Sequence, residues 1–179
     1  MPANRKSSAP EAGPRLRRAY FEVRYGQLHV HHAIPPGGGF DERTTLICLP
    51  DSSSSARALL PLLAQFGLTR SVYAADLPGT GESDMAPDVQ LPESAVAAIG
   101  DFIADMRLRQ MDVLGVGAGA AVARLLAVQH AGLIRRVVAI GEVAGARPSS
   151  GRPAQPLLEL PALEPTALAQ NPALGEFLK

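Results

Sequence analysis

The fold is decided by residues 76–83, which read Asp-Leu-Pro-Gly-Thr-Gly-Glu-Ser. This loop is rich in glycine and proline, which favour turns over regular structure. It follows an apolar run from Ser71 to Ala75 that has the length of a buried strand. Beyond the loop, Pro92 and Glu93 suit the first turn of a helix. The stretch therefore predicts a strand, a loop and a helix in succession.

Strand and helix alternate on both sides of this loop. The preceding elements are a strand at Thr44 to Leu49 and a helix that carries Leu59, Leu63 and Phe66 on one stripe, with Pro61 expected to kink or delay it. The following elements are a helix with Val96, Ile99, Ile103 and Met106 at helical spacing, a strand at Met111 to Leu114, a tight turn at Gly115 to Gly119, a helix at Ala118 to His130 and a strand at Arg136 to Ile140. Such alternation requires right-handed crossovers and helices on both faces of the sheet.

An antiparallel hairpin precedes the alternating elements. Two β-prone runs, Tyr20 to Tyr25 and Gln27 to Ile34, flank Gly26. The sequence thus predicts an α/β fold: a mostly parallel, doubly wound sheet with an N-terminal antiparallel hairpin.

Composition places the chain among ordinary globular proteins. Its 179 residues are 46% hydrophobic and 19% charged, enough apolar material for one domain with a sizeable core. The formal net charge is zero, so no long-range field favours nucleic acid or an anionic membrane as a partner. A single cysteine, Cys48, excludes an internal disulfide and, without a signal-like apolar run, favours the cytoplasm.

The two ends differ from the central region. Residues 1–18 are basic and interrupted by proline, which predicts a disordered tail, and residues 19–141 are predicted to form the core. Residues 142–179 are rich in proline, which predicts a partial lid or tail. Within them, Leu157 to Leu163 and Ala167 to Leu178 are expected to form helices of one or two turns at most.

Three stretches in this order resemble the α/β-hydrolase family, from about Phe21 to Gly141. Residues 76–83 match the family's D-x-P-G-x-G-x-S loop. Residues 114–119, Leu-Gly-Val-Gly-Ala-Gly, stand where the family has its nucleophile elbow, G-x-S-x-G. Residues 49–51, Leu-Pro-Asp, stand where relatives carry the His-Gly of the oxyanion loop. The resemblance implies the N-terminal half of that fold, truncated at its C-terminus.

The catalytic residues that the resemblance implies are absent. Gly117 occupies the nucleophile position and has no side chain to attack a substrate. No histidine follows His130, although the family's histidine lies beyond the last strand. Glu142, just after the final predicted strand, is a weak candidate for the acid and is read more simply as a solvated residue.

One part of the family's site remains in the sequence. The amides of Ser52 and Ala118 correspond to the two oxyanion donors of the family, so the resemblance implies an anion-binding or ligand-binding site there. The alternative is that these amides only close a turn. No cofactor is expected. A dinucleotide site at Gly115 to Gly119 with Glu142 as its acidic residue has low weight, because Ala120 stands in the last glycine's place.

Three other groups of residues have simpler interpretations. Residues 52–55 are serines, which are expected to cap a helix or form a loop, since no base accompanies them. His29 and His31 share one face of a strand but lack a third metal ligand, so they are interpreted as surface histidines on an edge hairpin. Cys48 is expected to be an inert, buried thiol.

The short C-terminus has structural consequences. The strand at Arg136 to Ile140 is expected at the sheet edge, and the face beside the Leu59 to Phe66 helix is expected to be open unless Leu157 to Leu178 folds over it. A second copy or a protein partner is the other candidate for that face. Three functions stay open: a non-hydrolytic protein that binds a small organic ligand or a partner, an enzyme whose chemistry needs no nucleophile, and a hydrolase fragment without a function of its own.

Overall fold

The computed structural model describes residues 13–38, 44–88, 91–141 and 153–179. The strands within these ranges are β1 (Arg15–Val23), β2 (Gly26–Ile34), β3 (Thr45–Leu49), β4 (Val72–Ala75), β5 (Met111–Val116), β6 (Ile134–Ile140) and β7 (Leu157–Leu160). The helices are α1 (Leu60–Phe66), α2 (Glu93–Asp105), α3 (Ala118–Gln129), α4 (Pro165–Ala169) and α5 (Pro172–Phe177), and a 3-10 turn (Ala56–Leu59) precedes α1.

The strands form one mixed sheet in the order β1-β2-β4-β3-β5-β6-β7. Strand β2 pairs antiparallel with both β1 and β4, whereas the remaining neighbours are parallel. The chain leaves β3 toward β4 on one side and then crosses to β5 on the other. The predicted mostly parallel sheet with an N-terminal hairpin is confirmed, and so is the α/β class.

The core is divided between the two faces of the sheet. Strand β3 shows the division, because Ile47 and Leu49 pack with α2 and α3 while Leu46 and Cys48 pack with α1, α4 and α5. All four side chains are buried, as expected for a strand between two helical layers. Burial raises the pKa of the Cys48 thiol to about 12, so Cys48 is the inert packing thiol that was predicted.

The hairpin begins earlier than the sequence indicates. Strand β1 starts at Arg15, which pairs with Ile34, so residues 15–18 of the predicted tail belong to the sheet. The backbone ladder of β1 accounts for this, because its arginine side chains stay exposed while their main chain pairs with β2. Residues 1–12 lie outside the described ranges.

The C-terminal residues extend the sheet and cover one of its faces. The expected short helix at Leu157 to Leu163 is wrong: Leu157–Leu160 is strand β7, parallel to β6, so β6 is not an edge. Pro156 and Pro161 flank this run and exclude a helix longer than one turn. The expected short helices further on are confirmed as α4 and α5.

The face beside α1 is covered by the chain itself. Leu168, Leu174 and Leu178 are buried in the same cluster as Leu62 and Leu63 of α1. The sequence left open whether the chain itself, a second copy or a protein partner covers this face, and the structure shows that C-terminal residues of the chain lie on it.

A buried carboxylate fastens the C-terminal residues to the sheet. Asp112 of β5 is fully buried and accepts hydrogen bonds from Arg70 Nη1 at 3.2 Å and from Arg135 Nε at 2.9 Å and Nη2 at 2.6 Å. Both guanidinium groups also donate to the carbonyl of Leu178. We call Arg70, Asp112, Arg135 and the Leu178 carbonyl the Asp112 clasp. It ties the residue after α5 to the amino-terminal end of β5.

None of the helices in the described ranges is long and apolar enough to cross a bilayer.

Candidate functional site

The chemistry-bearing residues meet at the edge where the parallel strands end, here called the carboxyl edge. Asp51 follows β3, Asp76 follows β4 and Gly117 follows β5. Strand β3 lies between β4 and β5, so the chain order reverses beside Asp51 and Gly117. Ligands of open α/β sheets bind at such a reversal, outside the carboxyl ends of the strands.

Gly117 forms the apex of a sharp bend from β5 into α3. Its φ is +54° and its ψ is −121°, a conformation that a residue with a Cβ adopts only under strain. Its amide donates to the carbonyl of Ile140 at 2.9 Å, which fixes the bend against β6. The strained elbow geometry that the resemblance implies is present, with glycine at its apex.

The glycines on either side of the apex allow close backbone approach. A Cβ on Gly115 would lie 2.6 Å from the Cα of Ala120, and one on Gly119 would lie 2.5 Å from the carbonyl oxygen of Pro50. Both contacts are with backbone atoms, which cannot turn aside as a side chain can. The two glycines therefore let α3 pack directly against β5 and the loop after β3.

The carboxylate of Asp51 occupies the amino-terminal end of α3. Its Oδ1 accepts the amide of Ala118 at 2.7 Å, and its Oδ2 accepts the hydroxyl of Ser53. The Ser53 hydroxyl and then the Ala118 amide hold the pKa of the Asp51 carboxyl below its usual range, and the amides of Ser53 and Ser52 act in the same direction. An intramolecular carboxylate thus takes the place of an external anion at this helix terminus.

The position of the Asp51 side chain affects the residues that the sequence predicts for the site. The Ala118 amide donates to Asp51, so a ligand at this amide must first displace that carboxylate, and the oxyanion role of Ser52 and Ala118 stays a prediction. A Cβ on Gly117 would lie 2.6 Å from Cγ of Asp51, so the same side chain fills the space above the apex. Glu142 lies outside the described residues. The sequence contained Asp51, but its role as the internal anion was missed.

The Asp51 carboxylate makes the stability of the fold dependent on pH. Because its pKa is lowered on folding, it stabilises the fold above its unfolded pKa, and this stabilisation is lost as pH falls through the folded pKa. We expect Asp51→Asn to lower the free energy of unfolding by about 1 kcal/mol near neutral pH, as for the loss of a helix cap. The difference should shrink between neutral and strongly acidic pH, because wild-type Asp51 also takes up a proton as pH falls through its folded pKa.

Urea unfolding of both proteins at the two pH values measures this effect. Asp88→Asn is the matched control, because Asp88 is exposed and has no hydrogen bond or ion pair with the described residues. A deficit in Asp51→Asn that stays the same at acidic pH, or a similar deficit in Asp88→Asn, would contradict the assignment.

A second acidic residue at the carboxyl edge organises the loop of residues 76–83. Asp76 Oδ1 accepts the amide of Ala56 at 2.5 Å, and Oδ2 accepts the amide of Glu82 at 2.9 Å. The same Oδ2 lies 2.9 Å from Nδ1 of His29, and both side chains are at most 2% exposed. Asp76 thereby connects this loop to β2 and to the 3-10 turn before α1.

This cluster corrects the interpretation of His29 as a surface residue and the capping role expected of the serines, whereas residues 52–54 lie in a turn as expected. His29 is not a surface residue, because the loop of residues 76–83 and the 3-10 turn cover the face of β2 on which it lies. Ser55 occupies the N-cap position of the 3-10 turn but makes no capping hydrogen bond with its side chain. The amide of Ala56 is instead satisfied by Asp76, a residue twenty positions away.

The histidines lie away from the elbow apex or are already engaged. His130 follows α3 at its far end, about 18 Å along a helix of this length from Gly117. His29 is engaged by Asp76, and His31 and His32 lie on the same strand, β2. Among the residues that the structure describes, no three histidine, cysteine or acidic side chains come close enough to hold a metal ion.

Solved structures share this architecture. An epoxide hydrolase without ligand matches with a TM-score of 0.65 at 16% identity, over 73% of this chain and 44% of that protein. Naproxen esterase from Bacillus subtilis matches with a TM-score of 0.64 at 16% identity, over 72% and 44%. A predicted CIB-like hydrolase from Thermoplasma acidophilum matches with a TM-score of 0.70 at 14% identity, over 82% and 73%. Neither a family model nor a curated protein matches the sequence.

These likenesses show the fold of the chain. At this level of identity they do not show which activity this chain has. The chain spans less than half the length of the epoxide hydrolase and of the esterase, so it corresponds to a part of those proteins.

Proposed function

We propose that this chain, which has the α/β-hydrolase fold, is a binding protein that does not hydrolyse esters through its elbow. One observation carries the proposal: the elbow has glycine at its apex, and the carboxylate of Asp51 lies on the Ala118 amide. The chain thus offers no nucleophile at the bend, and the amide best placed to stabilise an oxyanion already has an acceptor.

The surrounding residues support the same proposal. A serine or water at the apex would need a base within about 3 Å, as triad chemistry requires. His29, the buried histidine at the carboxyl edge, has Nδ1 on Asp76 and lies with the hairpin, on the far side of β4 from the elbow. The absence of a nucleophile at the apex and of a histidine base beside it among the described residues supports the proposal.

An enzyme of the same fold is the second candidate. The solved structures that match are named as an epoxide hydrolase, an esterase and a hydrolase, which favours a catalytic ancestry. Chemistry without a nucleophile on a small organic substrate, or a hydrolase of which this chain is one part, belongs to this class. Turnover of a substrate by the purified chain separates it from the binding protein.

We expect no hydrolysis of an activated ester, p-nitrophenyl acetate, by the wild type or by Gly117→Ser. The serine would lack a base, and its Cβ would meet the Asp51 carboxylate in a backbone conformation with φ of +54°. A double variant, Asp51→Gly with Gly117→Ser, removes that contact and should also be inactive. Release of p-nitrophenol above the buffer rate is the measurement.

Two results would contradict the proposal in different ways. Saturable turnover by the wild type would show that the chain hydrolyses esters by some other group. Turnover that appears only in the double variant would show that a base is in reach of the apex and that Asp51 alone blocks it. Circular dichroism of each variant confirms that it is folded when assayed.

A further inference from the structure

A cleft separate from the elbow lies between the hairpin, the loop of residues 76–83 and the 3-10 turn. Its volume is about 270 Å³. Its lining residues are Arg18, His29 and His31 from the hairpin, Ser55, Arg57 and Leu60 from the region of the 3-10 turn, and Asp76, Gly81 and Glu82 from the loop. Three separate parts of the chain therefore present polar side chains to one space.

The acidic groups of this cleft already have donors. The Asp76 carboxylate accepts two backbone amides and lies on Nδ1 of His29. The Glu82 carboxylate accepts the hydroxyl of Tyr20 and lies 3.7 Å from Arg18 Nη1. Because both carboxylates already accept hydrogen bonds from the protein, they do not favour a cationic ligand in the cleft.

Two side chains of the cleft can form a hydrogen bond or an ion pair that no described residue provides. Nε2 of His29 is buried and has no hydrogen-bond partner. In the tautomer whose Nδ1 proton faces the Asp76 carboxylate, Nε2 carries a lone pair that can accept a hydrogen bond. The side chain of Arg57 is exposed and has no ion pair or hydrogen bond with the described residues. A buried acceptor without a donor costs free energy, which a ligand can recover.

We infer that this cleft binds a small hydroxy acid. The ligand hydroxyl would donate to Nε2 of His29, and the ligand carboxylate would pair with the guanidinium of Arg57. The cleft volume suits a ligand of about ten non-hydrogen atoms, for which the half-buried Leu60 provides apolar contact. The inference names the ligand class for the proposed binding function and rests on a different part of the carboxyl edge.

Tyr20 lies beside His29 and can report on a ligand in the cleft. It pairs with His29 across the hairpin, its ring centroid lies 5.0 Å from that of His29, and its side chain is 47% exposed. Its hydroxyl donates to Glu82 at the border of the cleft. A ligand bound between His29 and Glu82 would lie beside this hydrogen bond, so we expect binding to change the environment of Tyr20. The chain has three tyrosines and no tryptophan, which makes tyrosine fluorescence a direct readout.

The test compares three probes on the full chain by calorimetry and tyrosine fluorescence. Mandelate carries both a hydroxyl and a carboxylate, phenylacetate lacks the hydroxyl, and benzyl alcohol lacks the carboxylate. We expect mandelate to bind about tenfold more tightly than either, because a hydrogen bond to an otherwise unpaired buried acceptor has this effect. In ¹⁵N spectra of the histidine rings, mandelate should shift Nε2 of His29 and phenylacetate should not.

A pair of exposed arginines supplies the matched variants. Arg57→Gln should weaken mandelate about fivefold and leave benzyl alcohol unchanged, as expected for one exposed ion pair. Arg109→Gln should change neither, because Arg109 is exposed and lines a different groove, beside His130. Both substitutions lie on the surface and leave the Asp76–His29 pair intact, so folding is preserved.

Each outcome decides the inference. Equal affinity for mandelate and phenylacetate, no binding of mandelate, or an Arg57→Gln protein that binds as the wild type does would overturn it. Ester turnover at the elbow would contradict the proposed function but would not contradict ligand binding in this cleft. The ester assay and the mandelate test can therefore contradict one proposal without contradicting the other.

Discussion

Replacing Asp112 with alanine is expected to lower the free energy of unfolding by about 3–5 kcal/mol, the range for breaking a buried ion pair from one side. Asp112 is fully buried and is the shared carboxylate of the Asp112 clasp. Its removal leaves Arg70, which is 3% exposed, without that counter-charge. It also loosens the clasp at Leu178, so the cover that α4 and α5 provide for α1 should weaken.

Urea unfolding monitored by circular dichroism measures this loss. Asp101→Ala is the matched control, since Asp101 pairs with Arg24 at 2.7 Å but at the surface. Its loss should be about 1 kcal/mol or less. Similar values for the two variants would contradict a structural role for the clasp. The expectation for Asp112→Asn lies between the two, because the amide retains one acceptor for the arginines.

Substituting Gly115 with alanine is expected to cost about 3 kcal/mol, at the upper end of the usual range for overpacking. The added Cβ would meet the backbone of Gly119 and the Cα of Ala120, the latter at 2.6 Å. Relief requires α3 to move away from β5, which would also lengthen the hydrogen bond from the Ala118 amide to Asp51. Stability and the elbow geometry should therefore change together.

Gly132→Ala provides the comparison, because a Cβ at Gly132 meets no atom within 4 Å. That variant should stay within about 0.5 kcal/mol of the wild type, as surface substitutions usually do. Thermal unfolding of both proteins gives the difference. If Gly115→Ala unfolds at the wild-type temperature, α3 has room to shift and the close approach is not required.

The architecture could be predicted from sequence because its signals are local. The loop of residues 76–83, the apolar run at Thr44 to Leu49 and the repeat from Val96 to Ile103 each read as one element without knowledge of the rest, and each is confirmed. Strand β7 was missed because a run of four apolar or acidic residues between prolines fits a strand or a single helical turn equally well.

The candidate site was harder to predict because its contacts join distant residues. Asp51 and Ala118 are 67 positions apart, and His29 and Asp76 are 47 apart. Neither pairing therefore produces a periodic pattern in the sequence. Asp112 did leave a signal: a carboxylate inside an apolar strand requires a cationic partner, and Arg135 directly precedes the predicted strand at Arg136 to Ile140. The glycine at the apex was visible directly, but the side chain that fills the space above it was not.

The position of Asp51 has a consequence for any attempt to install catalysis in this scaffold. An acyl-transfer intermediate develops negative charge where the Oδ1 atom of Asp51 now sits against the Ala118 amide. Like charges at such short range repel each other, so a nucleophile and base added alone would face a raised barrier. Redesign would have to begin with a neutral residue at position 51 before a nucleophile at the apex could give activity.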